Sequence, residues 1–204
     1  MSNPYLVVKQ FEEALAEFCG SKYAVTVNSC SMALFLCCKY VDITKYDEIE
    51  VPKFTYPSVP ASIVHAGGRI KFVDKNWQDQ MWYRLNPSVI YDSAKIMVRG
   101  MYEQGSLMCL SFHAKKIINI GHGGAILTND SEAYEWFKCA RFDGRHEENL
   151  INDKLAFAGW NCYMGSYDAA RGLELMQWLK DENYCEADPY QDLSVYDFFT
   201  KANR

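Results

Sequence analysis

What this 204-residue sequence lacks narrows its class before any motif is read. No apolar run reaches the ~18–20 residues that a membrane span requires. The opening stretch MSNPYLVVKQFEEALAEF carries acids where a signal peptide needs unbroken apolar residues. Together these predict a cytoplasmic protein with no membrane partner. Basic residues are not in excess: 21 Lys+Arg stand against 26 Asp+Glu, a net charge of -5, so no basic stripe is on hand to neutralise phosphates and no nucleic-acid partner is expected. No repeat, low-complexity tract or Ser/Gly linker divides the chain, which predicts one domain over 1–204 with a short C-terminal helical tail at 184–204.

Cysteine is present but without a framework. None of the eight (Cys19, Cys30, Cys37, Cys38, Cys109, Cys139, Cys162, Cys185) is spaced Cys-x-x-Cys, and several sit in apolar runs. They read as reduced, mostly buried thiols. His65, His113, His122 and His146 are scattered singly, so no metal site is expected.

The apolar pattern alternates between strand and helix. Phe11, Leu15, Phe18 and Cys19 mark an amphipathic helix that Gly20 ends, and AVTVN at 24–28 reads as a buried strand. A helix from Met32 to Tyr40 follows, then a strand at 49–54, a helix from Pro57 to His65, a Gly67-Gly68 turn and a strand at 69–74. Further strands are expected at 88–92, 106–112 and 123–129, a helix capped by Ser131 running through Phe142, and a helix over 166–183 behind Ser166. Strands linked by helices imply an α/β fold, a mostly parallel sheet with helices on both faces.

In such sheets ligands bind beyond the carboxyl ends of the strands. Three features fall there. The Asn28-Ser29-Cys30-Ser31 turn opens a helix and suits either a phosphate or simple capping. Asp92 suits either a cationic ring nitrogen or a cap on the next segment. Lys115-Lys116, taken alone, is ordinary surface charge.

Order and spacing point further. FEEALAEFCGSKYAVTVNSCSMAL, VPKFTYPSVPASIVHAGGRIKFVD, YDSAK, SFHAKKIINIGHGGAILTND and GWNCYMGSYDAARGLEL, in this order, resemble the segments of the DegT/StrS group of sugar aminotransferases, fold-type I enzymes dependent on pyridoxal 5'-phosphate. The resemblance implies that Lys116, five residues after Ser111, is the Schiff-base lysine, and that Asp92 lies against the pyridine nitrogen and keeps the ring protonated. It places Cys30, Ser31 and Ser111 at the cofactor phosphate, Tyr56 on the pyridine ring, and Lys95 where a glutamine or histidine usually meets the phenolic oxygen. Asn161 matches an asparagine that reaches the neighbouring subunit's phosphate, which implies a homodimer with shared active sites.

The activity implied is transfer of an amino group from an amino acid such as glutamate to a keto-sugar nucleotide. Two alternatives stand beside it: another pyridoxal-phosphate reaction on a different small substrate or nucleobase adduct, or a catalytically weak dimerisation scaffold. The departures are Cys30-Ser31 for the usual Gly-Thr, Lys95, and Tyr163 in place of an arginine. The chain is also about half the family's length, resembling a large domain without most of the small domain, and the stretch between Asp74 and Asp92 leaves room for little beyond a loop and one strand.

Overall fold

Alternating side chains along three strands build both faces of the sheet in the computed structural model, which describes residues 3–200. Elements are numbered in chain order. From β1 (Tyr23–Val27), β7 (Leu107–Ser111) and β8 (Gly124–Thr128), the residues Val25, Val27, Leu107, Cys109 and Ile126 enter one apolar layer. Ala24, Met108, Leu110, Ala125 and Leu127 enter the other. Helices α2 (Cys30–Tyr40) and α4 (Ser131–Ala140) cover the first layer, and α1 (Leu6–Cys19) packs with α5 (Ser166–Met176) over the second. Burial on both faces is why these strands read as continuous apolar runs.

The central sheet has the order β1-β8-β7-β5-β4, with β4 at Tyr83–Arg84 and β5 at Ile90–Asp92. Strands β1, β5 and β7 share one direction, whereas β8 runs against both of its neighbours and β4 against β5. The α/β sheet expected from the sequence therefore takes a mixed form. Residues 112–123 explain the reversal, since the link from β7 to β8 holds no helix with which to make a parallel crossover. A parallel pair, β2 (Glu48–Pro52) and β3 (Arg69–Val73), is joined through α3 (Ser58–Ala66), and the Glu50 N–H bonds the Asn86 carbonyl at 2.8 Å.

Several expected boundaries shift, each for a local reason. Helix α2 begins at Cys30 because Ser29, in extended backbone, caps it by accepting the Met32 N–H at 3.2 Å. Asp130, not Ser131, caps α4, its carboxylate accepting from the N–H groups of Glu132 and Ala133, and that helix stops at Ala140, short of Phe142. The expected helix over 166–183 ends at Met176. Ser166 does not cap it; Gly165 holds the cap position, while the Ser166 hydroxyl donates to the Pro4 carbonyl. The N–H groups of Gln177, Trp178 and Leu179 reach back only three residues, and the chain then turns into β9 (Glu182–Tyr184), which pairs antiparallel with β6 (Ile96–Val98). The Asn183 amide fixes this turn by donating to the carbonyls of Lys180 and Met97.

The expected helical tail at 184–204 is only partly helical. After β9 the segment from Cys185 to Asp192 lies extended along the cavity at the carboxyl end of the sheet, and helix is confined to a 3-10 turn at Leu193–Val195 and α6 (Asp197–Thr200). Residues 201–204 lie outside the described residues. No helix among the described residues is long and apolar enough to cross a membrane.

Candidate active site

The carboxyl ends of β5 and β7 and the first turn of α2 surround a cavity of about 640 Å³. Of the eight residues singled out from the sequence, seven line it: Cys30, Ser31, Tyr56, Asp92, Lys95, Ser111 and Lys116. Asn161 does not. Its exposed amide donates to the Asp143 carboxylate at 3.0 Å, away from this cavity.

Cys30 and Ser31 are the first two residues of α2, where backbone N–H groups have no acceptor inside the helix and an anion is favoured. The helix end can seat there only because β8 starts with glycine. A Cβ at Gly124 would lie 2.5 Å from the Cys30 nitrogen and 2.6 Å from the Ser29 carbonyl carbon. Burial pushes the Cys30 thiol up, with Asp92 and Cys109 adding to the effect and Lys116 opposing it, so this sulfur stays a neutral thiol and not a nucleophile.

Lys116 sits in the turn after β7, its N–H bonded to the His113 carbonyl at 2.8 Å. Its half-buried ammonium takes no hydrogen bond or ion pair among the described residues. Lys115 is exposed and also reaches the cavity. Ser111 closes the same turn, accepting a long 3.5 Å contact from the His113 N–H. Tyr56 stands on the wall with 61% of its surface open, a ring face free to stack.

Asp92 is buried at the end of β5. Its Oδ1 accepts the Ala94 N–H at 3.1 Å and its Oδ2 accepts the Tyr83 hydroxyl at 3.0 Å. Burial raises its pKa above the usual carboxylate value, and these two hydrogen bonds, with the fields of Lys116 and Lys95, counter only part of that rise.

Lys95 has protein partners that the sequence did not suggest. Its side chain is buried, and its ammonium donates to the Glu186 carbonyl and pairs with the Asp188 carboxylate at 2.9 Å. A buried ammonium demands such partners. Lys95 lines the cavity and at the same time ties it to the extended segment from Cys185 to Asp192. That segment forms a wall of the cavity through Asp188, Tyr190 and Gln191. Neither this wall nor Tyr83 was picked out from the sequence. Asp188-Pro189 gives an ordinary turn signal, and β4 is too short for any periodicity to register.

A model of the DegT/DnrJ/EryC1/StrS aminotransferase family matches residues 2–91 and 94–188. The chain belongs to that family. Among relatives, it is 26% identical over 196 residues to the spore coat polysaccharide biosynthesis protein SpsC of Bacillus subtilis, covering 76% of this chain and 48% of SpsC. It is 27% identical over 211 residues to the GDP-perosamine synthase of Caulobacter vibrioides, covering 83% of this chain and 56% of that enzyme. The structure of AtS13 from Actinomadura melliaura shares its fold, with a TM-score of 0.73 at 22% identity over 84% of this chain and 59% of AtS13. The chain thus spans about half the length of the curated relatives it matches.

Membership in the family implies pyridoxal 5'-phosphate as cofactor, and the residues present fit it. An unpaired lysine, a buried carboxylate, a helix N-terminus seated against a glycine that tolerates no Cβ, and an open aromatic face share one cavity. No cluster of three or more His, Cys, Asp or Glu residues able to hold a metal occurs among the described residues.

Proposed function

We propose that this chain forms an α/β cofactor domain that binds pyridoxal 5'-phosphate in the cavity and transfers an amino group from an amino acid such as glutamate to a keto-sugar nucleotide. The observation that carries this reading is the pairing, in one cavity, of the uncommitted Lys116 ammonium with the buried Asp92 carboxylate. When bound, the cofactor supplies an electron sink for the carbon that loses its proton. Lys116 binds the cofactor through its Nζ and, once released, holds and returns a proton at that atom. Asp92 keeps a proton on the ring nitrogen, Tyr56 covers the ring, and Cys30, Ser31 and Ser111 receive the phosphate.

A homodimer is part of the reading. Leu150, Ile151 and Leu155 expose 66%, 87% and 70% of their surface on one loop, in the stretch leading to Asn161. An apolar loop of this kind is covered by a partner at lower cost than by water. The second subunit would help to shield the cavity from water.

The test is the visible absorption spectrum of the purified protein after pyridoxal phosphate is added, followed by glutamate, with sedimentation in parallel. A bound-cofactor band that converts to the pyridoxamine form on a dimer supports the proposal. A bound band that no common amino acid converts sinks the aminotransferase reading and leaves the scaffold or a different reaction. A monomer with tight cofactor binding removes the shared site.

A further inference from the structure

Between two residues of the cavity wall, Thr55 and Asp92, runs a hydrogen-bond chain through Tyr83 that the roles assigned so far do not use. The Tyr83 hydroxyl stands 3.0 Å from Asp92 Oδ2 and 2.5 Å from Thr55 Oγ1, and all three residues are buried. Strand register produces the first contact, because Tyr83 is the direct antiparallel partner of Asp92 in the β4–β5 pair. Packing holds it. The Trp77 ring lies 5.0 Å from the Tyr83 ring and is itself pinned by its indole N–H, which donates to the Phe54 carbonyl at 2.9 Å.

Hydrogen counting sets the direction of the chain. An ionised carboxylate can only accept, so Tyr83 gives its single proton to Asp92 and Thr55 must donate to the Tyr83 oxygen. A protonated Asp92 can donate, and the chain can then run the other way. Thr55 and Tyr83 thus form a relay whose Thr55-to-Asp92 direction matches the ionised carboxylate. Each carboxylate oxygen keeps a second lone pair beyond its bonds to Ala94 and Tyr83. The other titratable groups facing Asp92 are Cys30 from α2, Cys109 from β7, Lys116, Lys95 and Tyr190.

We propose that Tyr83, backed by Thr55, is a positioning residue that fixes the orientation of the Asp92 carboxylate and favours its ionised form, and so sets how strongly the site holds the cationic ring nitrogen of its cofactor. This rests on the pyridoxal-phosphate reading of the cavity. Tyr83 touches neither cofactor nor substrate; it acts through Asp92.

The test uses Tyr83→Phe, which keeps the ring against Trp77, and Thr55→Val, which removes the far donor of the relay and, because Thr55 also lines the cavity, is read by NMR alone. In the protein without cofactor, carbon-13 carboxyl NMR should show the Asp92 titration at higher pH in Tyr83→Phe, with a smaller shift in the same sense in Thr55→Val. Equilibrium binding should show the dissociation constant for pyridoxal phosphate rising about tenfold in Tyr83→Phe, the loss expected when a hydrogen bond to a charged group is removed. Binding of a deaza analogue, with carbon in place of the ring nitrogen, should be unchanged. An unmoved Asp92 titration, or equal losses for both compounds, overturns the proposal, because a merely structural Tyr83 would weaken the two alike. If the wild type holds neither compound, the cofactor reading is overturned and the proposal with it, while the NMR arm still reports whether Tyr83 governs Asp92.

Discussion

The Lys95 ammonium and the Asp188 carboxylate, 2.9 Å apart, join the segment after β5 to the extended wall from Cys185 to Asp192. The Cys185 N–H strengthens this join by bonding the Lys95 carbonyl at 2.9 Å, and the Tyr190 ring lies 5.6 Å from the same ammonium. One side chain therefore holds the wall at several points.

Asp188→Asn should loosen that wall without unfolding the sheet. Full burial of both partners would make the loss ~3–5 kcal/mol, but Asp188 is 47% exposed, so about 1–2 kcal/mol is expected. Hydrogen exchange of the amides from 185 to 193 should speed up while β7 and β8 stay protected. Uniform acceleration across the sheet would show that the ion pair supports the whole fold.

Lys116→Ala should abolish cofactor attachment and change stability by no more than about 0.5 kcal/mol, since the side chain has no partner to lose. Borohydride reduction of the loaded wild type, followed by peptide mapping, should label Lys116 and leave Lys115 unmodified. Label on Lys115 would contradict the assignment.

Gly124→Ala should strike the start of α2, because the new methyl would lie 2.5 Å from the Cys30 nitrogen and no flexible side chain is there to yield. A stability loss of about 1–3 kcal/mol is expected from such overpacking, accompanied by weaker binding of inorganic phosphate. Thermal unfolding and phosphate titration monitored by NMR measure the two effects.

Acid sensitivity should centre on Glu12. Burial alone would raise its pKa, but Arg141, Lys138 and the Thr26 N–H outweigh that and hold it below the usual carboxylate value. Arg141, fully buried, bonds Glu12 and also Glu147 at 2.9 Å. With the folded pKa below the unfolded one, the stabilisation is complete above the unfolded value of about 4.3 and is lost as pH falls through the folded value. Glu12→Gln should cost about 3 kcal/mol at neutral pH, and its deficit relative to wild type should shrink in acid. A deficit independent of pH, read from denaturant unfolding between neutral and acidic buffers, would contradict the linkage.

Much of the sheet was legible because β1, β7 and β8 are buried on both faces and announce themselves as apolar runs. The cavity residues were legible through the family resemblance, which singled out Lys116 by its spacing from Ser111, whereas position at a strand end alone left Lys115-Lys116 as ordinary surface charge. Illegible were features that depend on partners distant in sequence. Nothing near Lys95 indicates that its charge is answered at Asp188. The helix at 166–183 read too long because Leu179 continues the apolar spacing, whereas pairing of Glu182–Tyr184 with Ile96–Val98 draws the backbone away. Tyr83 gave no signal because its importance lies in a register with Asp92 that only the folded hairpin defines.

The position of β8 between β1 and β7 imposes an order on synthesis. Val25 and Val27 leave the ribosome before their pairing partners Ile126 and Gly124, which follow only after about 100 further residues, at ~5–20 residues per second an interval of roughly 5–20 s. For that time the first strand, which in the finished sheet is a terminal strand beside β8, has no sheet partner and exposes strongly apolar residues, vulnerable to association with other nascent chains. Yield of active protein should therefore depend on chaperone capacity and growth temperature more steeply than the equilibrium stability of the finished fold would suggest.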